Sequence, residues 1–370
     1  MKIALLFGGR SGEHEVSLLS ASSVVRNINT TKHTIILIGI TKQGLWFLQN
    51  PSQIERIKSN KNAVLMIEET DSILSILPGG MRDRALVCLR KNTPSFLPCD
   101  VAFPVLHGTF GEDGTIQGLF EMAQIPYVGC GVMSSSLTMD KEKTKQVWMS
   151  EKLPVVPYIC MKKGVFLVEK EKNRIYLDAE EKFGFPLFVK PCCAGSSVGT
   201  AKAGDRAALD QAVSEAFAWD DKVLIEPFIN AREIECSVTG NYEVRSYVPG
   251  EIIPTHEFYD YEAKYIDPEG AALLIPAKLD KTDFQKLKEL AEKAYKAVDA
   301  SGLSRIDFFI DKITGEIMLN EINTIPGFTS ISMFSKMCEA SGLTYPELIE
   351  KLLLLAIERF NYRNALKTSM

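Results

Sequence analysis

The sequence predicts an α/β protein that opens with a doubly wound parallel sheet. Apolar runs at Ile3–Phe7, Thr34–Ile40 and Val101–Leu106 alternate with helical patterns at Val16–Asn29 and Thr115–Gln124. Strands that alternate with helices in this way pair in parallel and are covered on both faces. The chain has 370 residues, 46% of them hydrophobic. It can therefore bury a large core and is too long for one typical domain.

We expect three domains, at residues 1–130, 131–228 and 229–370. The pattern weakens between about Pro51 and Pro98, which indicates an insertion on the first sheet. Gly129–Gly131 and Ser134–Ser136 favour a boundary near residue 130 because glycine and serine clusters form loops. The remaining predicted elements are helices at 140–153, 205–219, 281–300 and 345–360 and strands at 186–190, 223–226 and 234–240.

Composition argues against several classes of protein. The net charge of −5 lacks the basic footprint of a nucleic-acid-binding protein. The sequence contains no apolar run of about eighteen residues, which is the length that a membrane-spanning helix needs. Met1–Gly9 has too few apolar residues for a signal peptide. The eight cysteines have no metal-ligand spacing, so we interpret them as reduced thiols in or near the core. We therefore expect a cytoplasmic protein.

Oxygen-bearing side chains lie on two predicted strands near the C-terminus. Asp307 is in the first strand, and Glu321 and Asn323 are in the second, after a turn at Thr314-Gly315. Residues two apart share a face of a strand, and a hairpin can place Asp307 opposite the other two. Mg²⁺ usually binds one or two carboxylates plus substrate phosphates. The pattern indicates either a magnesium site in a nucleotide-using enzyme or a hairpin with a solvated acidic face.

A glycine- and serine-rich loop follows the strand predicted at 186–190. It begins at Lys190, and its glycines flank two serines at 196 and 197. Backbone N–H groups of such a loop bind phosphate oxygens, and the lysine adds a point charge. The order of residues is not that of a Walker loop, so an ordinary turn is an equal alternative. Lys141 can add a second charge, although a lysine at such a position is more often solvated.

The segment after the strand at 223–226 offers groups for a nucleotide base. Adenine sites combine apolar faces with a few polar groups, and a carboxylate commonly meets the ribose hydroxyls. Phe228, Ile229 and Glu233 supply these groups. A hinge with a buried aromatic ring is the alternative interpretation.

Three further polar stretches are candidates for ligand binding. Gly8–Ser17 lacks the dinucleotide-binding glycine pattern, and Glu13 at its helix start either favours the helix dipole or binds a ligand. His107 ends a strand at the carboxyl edge of the sheet, where open α/β sheets bind ligands. The loop 257–265 contains three tyrosines and Lys264. It either closes over a site or packs on its own aromatic rings.

In this order, these stretches resemble the D-alanine:D-alanine ligase family of the ATP-grasp superfamily. The matching stretches cover nearly the whole chain: 8–17, 107–118, 139–141, 190–199, 257–265, 304–307 and 320–332. The resemblance implies an ATP-grasp fold and ATP-dependent joining of two D-alanines through an acyl phosphate, for peptidoglycan precursor synthesis. It also implies Mg²⁺, or Mn²⁺ in its place, and a homodimer.

The resemblance implies roles for the residues around the first substrate. Glu13 would hold the ammonium group of the first D-alanine, in a hydrogen-bonded set with Ser196 and Tyr265 that anchors the closed loop. His107 would lie near the same substrate.

The resemblance also implies the groups that act on the acyl phosphate and the second substrate. Arg305 would meet the acyl phosphate and the tetrahedral oxyanion, helped by the backbone N–H of Gly327, since fixed donors aimed at developing charge lower the barrier. Ser332 would bind the carboxylate of the second D-alanine.

The nucleotide residues implied by the resemblance fall into three sets. Three lysines would neutralise the phosphates: Lys141, Lys190 and Lys264. Three side chains would lie against adenine and ribose: Glu226, Ile229 and Glu233. Three oxygen ligands would hold the metal ions that bridge the phosphates: Asp307, Glu321 and Asn323.

Two positions depart from the family pattern. Ile331 stands where many members carry histidine, so no role of that histidine carries over. The adjacent Cys192 and Cys193 are unusual in a phosphate loop, and we expect modification of these thiols to slow ATP turnover. The sequence assigns no group to accept the proton that the second D-alanine must lose.

Other functions fit less well. A ligase that uses D-lactate or D-serine as second substrate is the nearest alternative, although the form of the loop at 258–265 favours D-alanine. Another ATP-grasp carboxylate:amine ligase would leave the stretches around Glu13 and His107 unexplained. A regulatory protein without chemistry would require the loss of Arg305 or of the metal residues, and a Rossmann oxidoreductase would require the glycine pattern that is absent.

Overall fold

The structure is a computed structural model that describes residues 1–91, 93–254, 271–329 and 331–367. Its described strands form three sheets that follow one another along the chain. No described helix is long and apolar enough to cross a membrane. All eight cysteines are free, and six of them are buried.

The first sheet is mixed, with strand order β6-β5-β4-β3-β2-β1-β7. Its strands are β1 (Lys2–Gly8), β2 (Thr34–Ile40), β3 (Trp46–Leu48), β4 (Ser72–Ile76), β5 (Leu86–Arg90), β6 (Thr93–Leu97) and β7 (Val101–Val105). The strands β1, β2 and β7 are parallel, as the sequence predicts. The others pair antiparallel. The segment at 51–98 therefore extends the sheet at one edge.

Helices cover both faces of this sheet. The side chains of β1 point alternately to the two faces, so each face has its own hydrophobic core. The first four helices are α1 (His14–Asn27), α2 (Ser52–Ser59), α3 (Met81–Arg84) and α4 (Thr115–Ala123). Leu5 packs with Val24 of α1 on one face. Leu6 packs with Phe120 of α4 on the other. This arrangement places the ends of β1 and β7, and the loops that follow them, at one edge of the sheet.

The second sheet is antiparallel, with order β10-β9-β11-β8. Its strands are β8 (Ile159–Lys162), β9 (Leu187–Pro191), β10 (Ala201–Ala203) and β11 (Lys222–Pro227). The helices of this part of the chain are α5 (Val132–Met139), α6 (Lys141–Ser150), α7 (Lys163–Phe166), α8 (Glu169–Phe183) and α9 (Arg206–Ala216). Tyr176 of α8 and Val213 of α9 pack against Val189 of β9. The loop after β9 is the predicted phosphate loop.

The third sheet carries the predicted acidic hairpin. Its strands are β12 (Ala231–Gly240), β13 (Arg245–Ser246), β14 (Gly250–Pro254), β15 (Ala271–Leu274), β16 (Gly302–Asp311) and β17 (Ile317–Asn323). The last helices are α10 (Lys281–Ala297), α11 (Met333–Ala340) and α12 (Tyr345–Asn364). Leu348 and Leu352 of α12 belong to the core of the first sheet. The end of the chain therefore packs the third part of the molecule against the first.

Candidate active site

Two adjoining cavities lie where the three sheets meet. The larger has a volume of about 580 Å³ and the smaller about 140 Å³. They share a wall formed by residues from the second and third parts of the chain, including Lys141, Gly195, Ser196, Arg305 and Glu321. The predicted substrate residues line the larger cavity, and most of the predicted nucleotide residues line the smaller one.

Glu13 and Ser196 meet in the wall of the larger cavity, although they are far apart in sequence. Ser196 Oγ donates a hydrogen bond to Glu13 Oε1. Gly108 has a positive φ of 70°, and a Cβ there would lie 2.5 Å from Glu13 Oε2. Glycine is therefore required for the loop after β7 to pass beside this carboxylate. Tyr265, the third member of the predicted set, lies outside the described residues, as does Lys264.

His107 lies in the larger cavity with both ring nitrogens occupied. Nδ1 lies 2.8 Å from the carbonyl oxygen of Ile325, and Nε2 lies 3.0 Å from Ser20 Oγ. A carbonyl oxygen can only accept, so Nδ1 carries the proton and Nε2 accepts from the serine hydroxyl. Burial lowers the pKa of His107, which favours this neutral form. The imidazole thus ties the first sheet to the segment after β17.

Glu112 is a cavity residue that the sequence interpretation missed. Its Oε1 accepts from the backbone N–H of Gly108 at 3.1 Å, and its Oε2 accepts from that of Ile325 at 2.8 Å. Burial, with the charge of Glu13 as a further cause, raises the pKa of Glu112 to about 7. Its position after a parallel strand, five residues beyond His107, was the available signal.

The hairpin of β16 and β17 places four polar side chains on one face of the third sheet. Asp307 pairs with Glu321, and Arg305 pairs with Asn323, which confirms the predicted hairpin. Arg305 donates to both oxygens of Asp307, from Nε and from Nη2, each at 2.7 Å. Its Nε also lies 3.1 Å from Glu235 Oε2. Asn323 Nδ2 donates to Asp307 Oδ2 at 2.9 Å.

These residues fit a magnesium ion that is shared with phosphates. Three carboxylates, Glu235, Asp307 and Glu321, are grouped with two cations, Arg305 and Lys141. Phosphate oxygens would add negative charge, which a divalent ion offsets. Within the described ranges, no three or more His, Cys, Asp or Glu side chains form a group that could hold a metal ion by themselves alone, so phosphate and water oxygens would have to complete the shell. The donor set suits an ion that completes its shell with water and phosphate.

Two predicted phosphate-binding lysines face the smaller cavity. Lys141 Nζ donates to the carbonyl oxygen of Ala194 at 2.7 Å and lies 3.5 Å from Glu321 Oε2. Lys190 Nζ donates to Asn320 Oδ1 at 3.0 Å. The register of the hairpin shifts after Asp307, and such a bulge turns a side chain out of the regular alternation. We attribute the orientation of Asn320 towards Lys190 to this shift.

The predicted base-binding residues occupy different environments. Glu226 lines the smaller cavity and is only 2% exposed. Glu233 also lines that cavity, together with Phe188 and Phe309, whose apolar rings the sequence interpretation missed. Ile229 is half-buried and is not among the described residues of the cavity wall.

Gly327 and Ser332 are neighbours at the entrance of α11. Ser332 Oγ accepts from the backbone N–H of Thr329 at 2.9 Å, and a Cβ at residue 327 would lie 2.9 Å from this oxygen. Ser332 precedes the first turn of α11, where N–H groups and the helix dipole favour an anion. The arrangement suits a carboxylate. Ile331, beside it, is 55% exposed.

Comparison with protein-family models gives two matches that together span most of the chain. Residues 2–130 match the D-ala D-ala ligase N-terminus, and residues 147–354 match the D-ala D-ala ligase C-terminus. The chain belongs to the D-alanine–D-alanine ligase family. This result confirms the resemblance inferred from the motifs.

Individual relatives agree over the full length. The D-alanine–D-alanine ligase of Treponema denticola is 56% identical over 369 residues, covering 100% of this chain and 99% of that protein. That of Caldicellulosiruptor bescii is 47% identical and covers 100% and 98%.

Solved structures show the same ATP-grasp fold. The D-alanine-D-alanine ligase from Coxiella burnetii superposes with a TM-score of 0.84 at 34% identity, covering 99% of this chain and 96% of that one. The VanG D-Ala:D-Ser ligase from Enterococcus faecalis superposes with a TM-score of 0.82 at 37% identity, covering 96% and 99%. The predicted fold class is therefore confirmed.

Proposed function

We propose that this protein joins two D-alanines to D-alanyl-D-alanine, with ATP converted to ADP and phosphate, to supply peptidoglycan precursors. Members of the family are ligases that act on small molecules with ATP. The observation that carries the proposal is the contact of Glu13 with Ser196 in a cavity that shares Arg305 with the lysine-lined cavity beside it. One cavity suits a zwitterionic amino acid and the other suits polyphosphate.

The first step is transfer of the γ-phosphoryl group to a carboxylate. Glu13 binds the ammonium group of the first D-alanine, which orients its carboxylate towards Arg305. A carboxylate oxygen attacks the γ-phosphorus, a new C–O–P linkage forms, and the P–O bond to ADP breaks. Positioning and charge stabilisation supply most of the catalysis of such a transfer.

The second step is attack on D-alanyl phosphate by the neutral amine of the second D-alanine. Ser332 and the first turn of α11 bind the carboxylate of that substrate. The amine forms a C–N bond, and the negative oxygen of the tetrahedral intermediate lies near Arg305 and the backbone N–H of Gly327. The C–O bond to phosphate then breaks, and the nitrogen loses its remaining extra proton. Glu13 and Ser196 keep the first residue in place throughout.

The nucleotide binds along the smaller cavity. Lys141 and Lys190 offset the phosphate charge, with Lys264 as a further predicted contributor, and Glu226 and Glu233 face the base and ribose. Asp307, Glu321 and Asn323 would hold Mg²⁺. Bound there, the ion supplies charge neutralisation and alignment of the phosphates. The roles of Ile229 and Tyr265 stay predictions. The homodimer, the cytoplasmic location and the bounds of the three domains also stay predictions.

Phosphate release identifies the substrates directly. The purified chain is mixed with ATP and Mg²⁺, and D-alanine, L-alanine, or D-alanine with D-serine or D-lactate is added. We expect phosphate release and the mass of D-alanyl-D-alanine with D-alanine alone, and no release with L-alanine. Product only in a mixture would instead assign the chain to ligases of a different second substrate, such as the D-serine enzyme it resembles.

A further inference from the structure

A buried ionic cluster connects α6 with the nucleotide cavity. Lys145 Nζ lies 2.9 Å from Glu226 Oε1, and Lys190 Nζ lies 2.9 Å from the other oxygen, Oε2. Lys145 also donates to the carbonyl oxygen of Val156 at 2.9 Å, and Lys190 donates to Asn320 Oδ1. One carboxylate therefore holds two ammonium groups, each of which has a further oxygen partner.

The charges of this cluster do not cancel. Lys145 is 0% exposed, Glu226 2% and Lys190 5%, and two positive charges face one negative charge. Burial lowers the pKa of Lys145 to about 8. The negative charges of Glu226 and, more weakly, Glu321 oppose this shift, and the positive charge of Lys190 adds to it. Removing charges from water is costly unless they are paired. A polyphosphate beside Lys190 would supply the missing negative charge.

Lys145 cannot supply its charge to a ligand by contact. It is fully enclosed, and among the described residues it belongs to neither cavity wall. Its place is set by α6, which Trp148 anchors by donating from Nε1 to the carbonyl oxygen of Ala294 at 3.0 Å. Glu226 and Lys190 instead belong to the second sheet. The cluster thus fixes two cavity side chains against a helix that packs on the third part of the chain.

We propose that Lys145 is a positioning residue for ATP, which acts through Glu226 to keep Lys190 directed at the phosphates. The inference rests on the proposed function, in which Lys190 and Glu226 bind the nucleotide. Without Lys145, Lys190 can pair with both oxygens of Glu226. Such a two-oxygen ion pair draws the ammonium group of Lys190 away from the phosphates. Lys145 then acts on ATP affinity and leaves the D-alanine sites intact.

The test compares Lys145→Met with Lys143→Met on the same helix. The side chain of Lys143 is 51% exposed. In the described part of the chain it pairs with Glu142 and Gln146 of the same helix, so the same substitution there controls for the loss of a lysine. ATP affinity is measured by calorimetry with Mg²⁺ present, and KM is measured for D-alanine. We expect the Kd of ATP to rise at least about tenfold in Lys145→Met only, with KM for D-alanine changed less than about twofold. Melting curves show whether each variant is folded.

A second comparison applies even if Lys145→Met unfolds. Glu226→Gln removes the carboxylate that pairs with Lys145 and Lys190, and the double variant Glu226→Gln with Lys145→Met leaves Lys190 as the one charged group of the cluster. If Lys145 acts through Glu226, the two bind ATP within about twofold of each other. Unchanged ATP affinity in folded Lys145→Met, equal losses for ATP and D-alanine, or a further large loss in the double variant would each overturn the inference. A wild-type protein that binds ATP but releases no phosphate with D-alanine would reject the proposed function, while the ATP affinities still decide the role of Lys145.

Discussion

Replacing Glu112 with glutamine tests whether an ionised carboxylate must hold the two loops of the substrate cavity together. Glu112 accepts backbone N–H groups from Gly108 on one oxygen and Ile325 on the other. Glutamine has a similar shape, but only one of its terminal atoms can accept, so its amide nitrogen faces an N–H donor. One backbone donor then loses its partner. The loop that carries Gly327 is expected to shift as a result.

The size of the effect follows from that single lost bond. An unsatisfied buried N–H costs about 1–3 kcal/mol, and about 1.4 kcal/mol is tenfold in rate. If this cost falls on the reactive geometry, kcat/KM at pH 8 drops by about 5- to 150-fold in Glu112→Gln. The loss is expected in both substrate affinity and turnover, because the cavity serves both steps.

The pH dependence distinguishes an ionised carboxylate from a merely polar one. Burial raises the pKa of Glu112 to about 7, so about a tenth of the protein has the carboxylate form at pH 6 and about nine-tenths at pH 8. Wild-type kcat/KM should therefore rise up to about tenfold over this range. The charged groups that act on Glu112 are Glu13, which raises its pKa further, and Arg305, which lowers it. Burial lowers the pKa of His107, which moves its titration towards the acid end of this range.

The contribution of Glu112 to the free energy of unfolding should change with pH in the opposite direction to kcat/KM. The pKa of Glu112 is about 7 in the folded chain and 4.5 ordinarily, so the folded state binds this proton more tightly. The contribution of the carboxyl to stability is therefore present below about pH 4.5 and is lost as the pH rises through 7. Glu112→Gln should remove this fall.

Steady-state assays of phosphate release from pH 6 to pH 8.5 give the required numbers. Dividing the wild-type rate by the variant rate at each pH cancels the titration of the substrates. The ratio should increase with pH to a plateau above about pH 8. A ratio that is near one, or constant across the range, would show that the ionised form of Glu112 has no part in holding the cavity.

Four further changes test other parts of the site. Ser196→Ala removes the hydrogen bond to Glu13, and we expect KM for D-alanine to rise about tenfold with ATP affinity retained; equal KM values would contradict that contact. Gly327→Ala places a methyl group 2.9 Å from Ser332 Oγ, so the KM of the second D-alanine should rise more than that of the first, and an unchanged ratio of the two would argue against this pocket. Chelation by EDTA should abolish phosphate release, with recovery on adding Mg²⁺ or Mn²⁺, whereas activity that survives complete chelation would reject the metal proposal. Burial and Asp220 raise the pKa of Cys193 to about 12, so alkylation at pH 7 should take hours, and rapid modification would show that the thiol is more open than the structure indicates.

The expectation that thiol modification slows ATP turnover stays a prediction, and the structure limits it to one of the two cysteines. Cys192 is 0% exposed, and a side-chain hydrogen bond with Cys160 together with burial raises its pKa. Reagents cannot reach it in the folded protein, and a thiolate is the reactive form. Any effect of alkylation on ATP turnover therefore depends on Cys193, which is half-buried.

Local patterns predicted the parts of the fold that local chemistry determines. The strand Thr34–Ile40 was predicted with the bounds that the structure gives it, because a run of apolar β-branched residues between polar turns has few other stable conformations. The hairpin of β16 and β17 follows from alternation on both sides of Thr314-Gly315 in the same way. The strand Ser72–Ile76 also alternates between buried and exposed residues. It is five residues long, and the weak patterns around it hid its place in the first sheet.

The candidate site was predicted less completely because its contacts join distant segments. The environment of Glu226 depends on Lys145, which lies 81 residues earlier in the chain, and no local pattern reveals that a helix lysine will be enclosed. The role of Glu112 was missed for the same reason, because one of its two backbone donors is the N–H of Ile325, which is distant in sequence. Ile229 follows the end of β11, and the direction of its side chain depends on how that strand leaves the sheet.

Transfer of oxygen isotope from substrate to phosphate tests the D-alanyl phosphate mechanism most directly. D-Alanine labelled with ¹⁸O in its carboxylate is incubated with the chain, ATP and Mg²⁺, and the phosphate is analysed by mass. Attack of the carboxylate on the γ-phosphorus, followed by displacement of phosphate by the second amine, leaves one labelled oxygen in each phosphate. Unlabelled phosphate beside labelled D-alanyl-D-alanine, or label recovered in AMP, would contradict the mechanism and the roles given to Arg305 and Gly327.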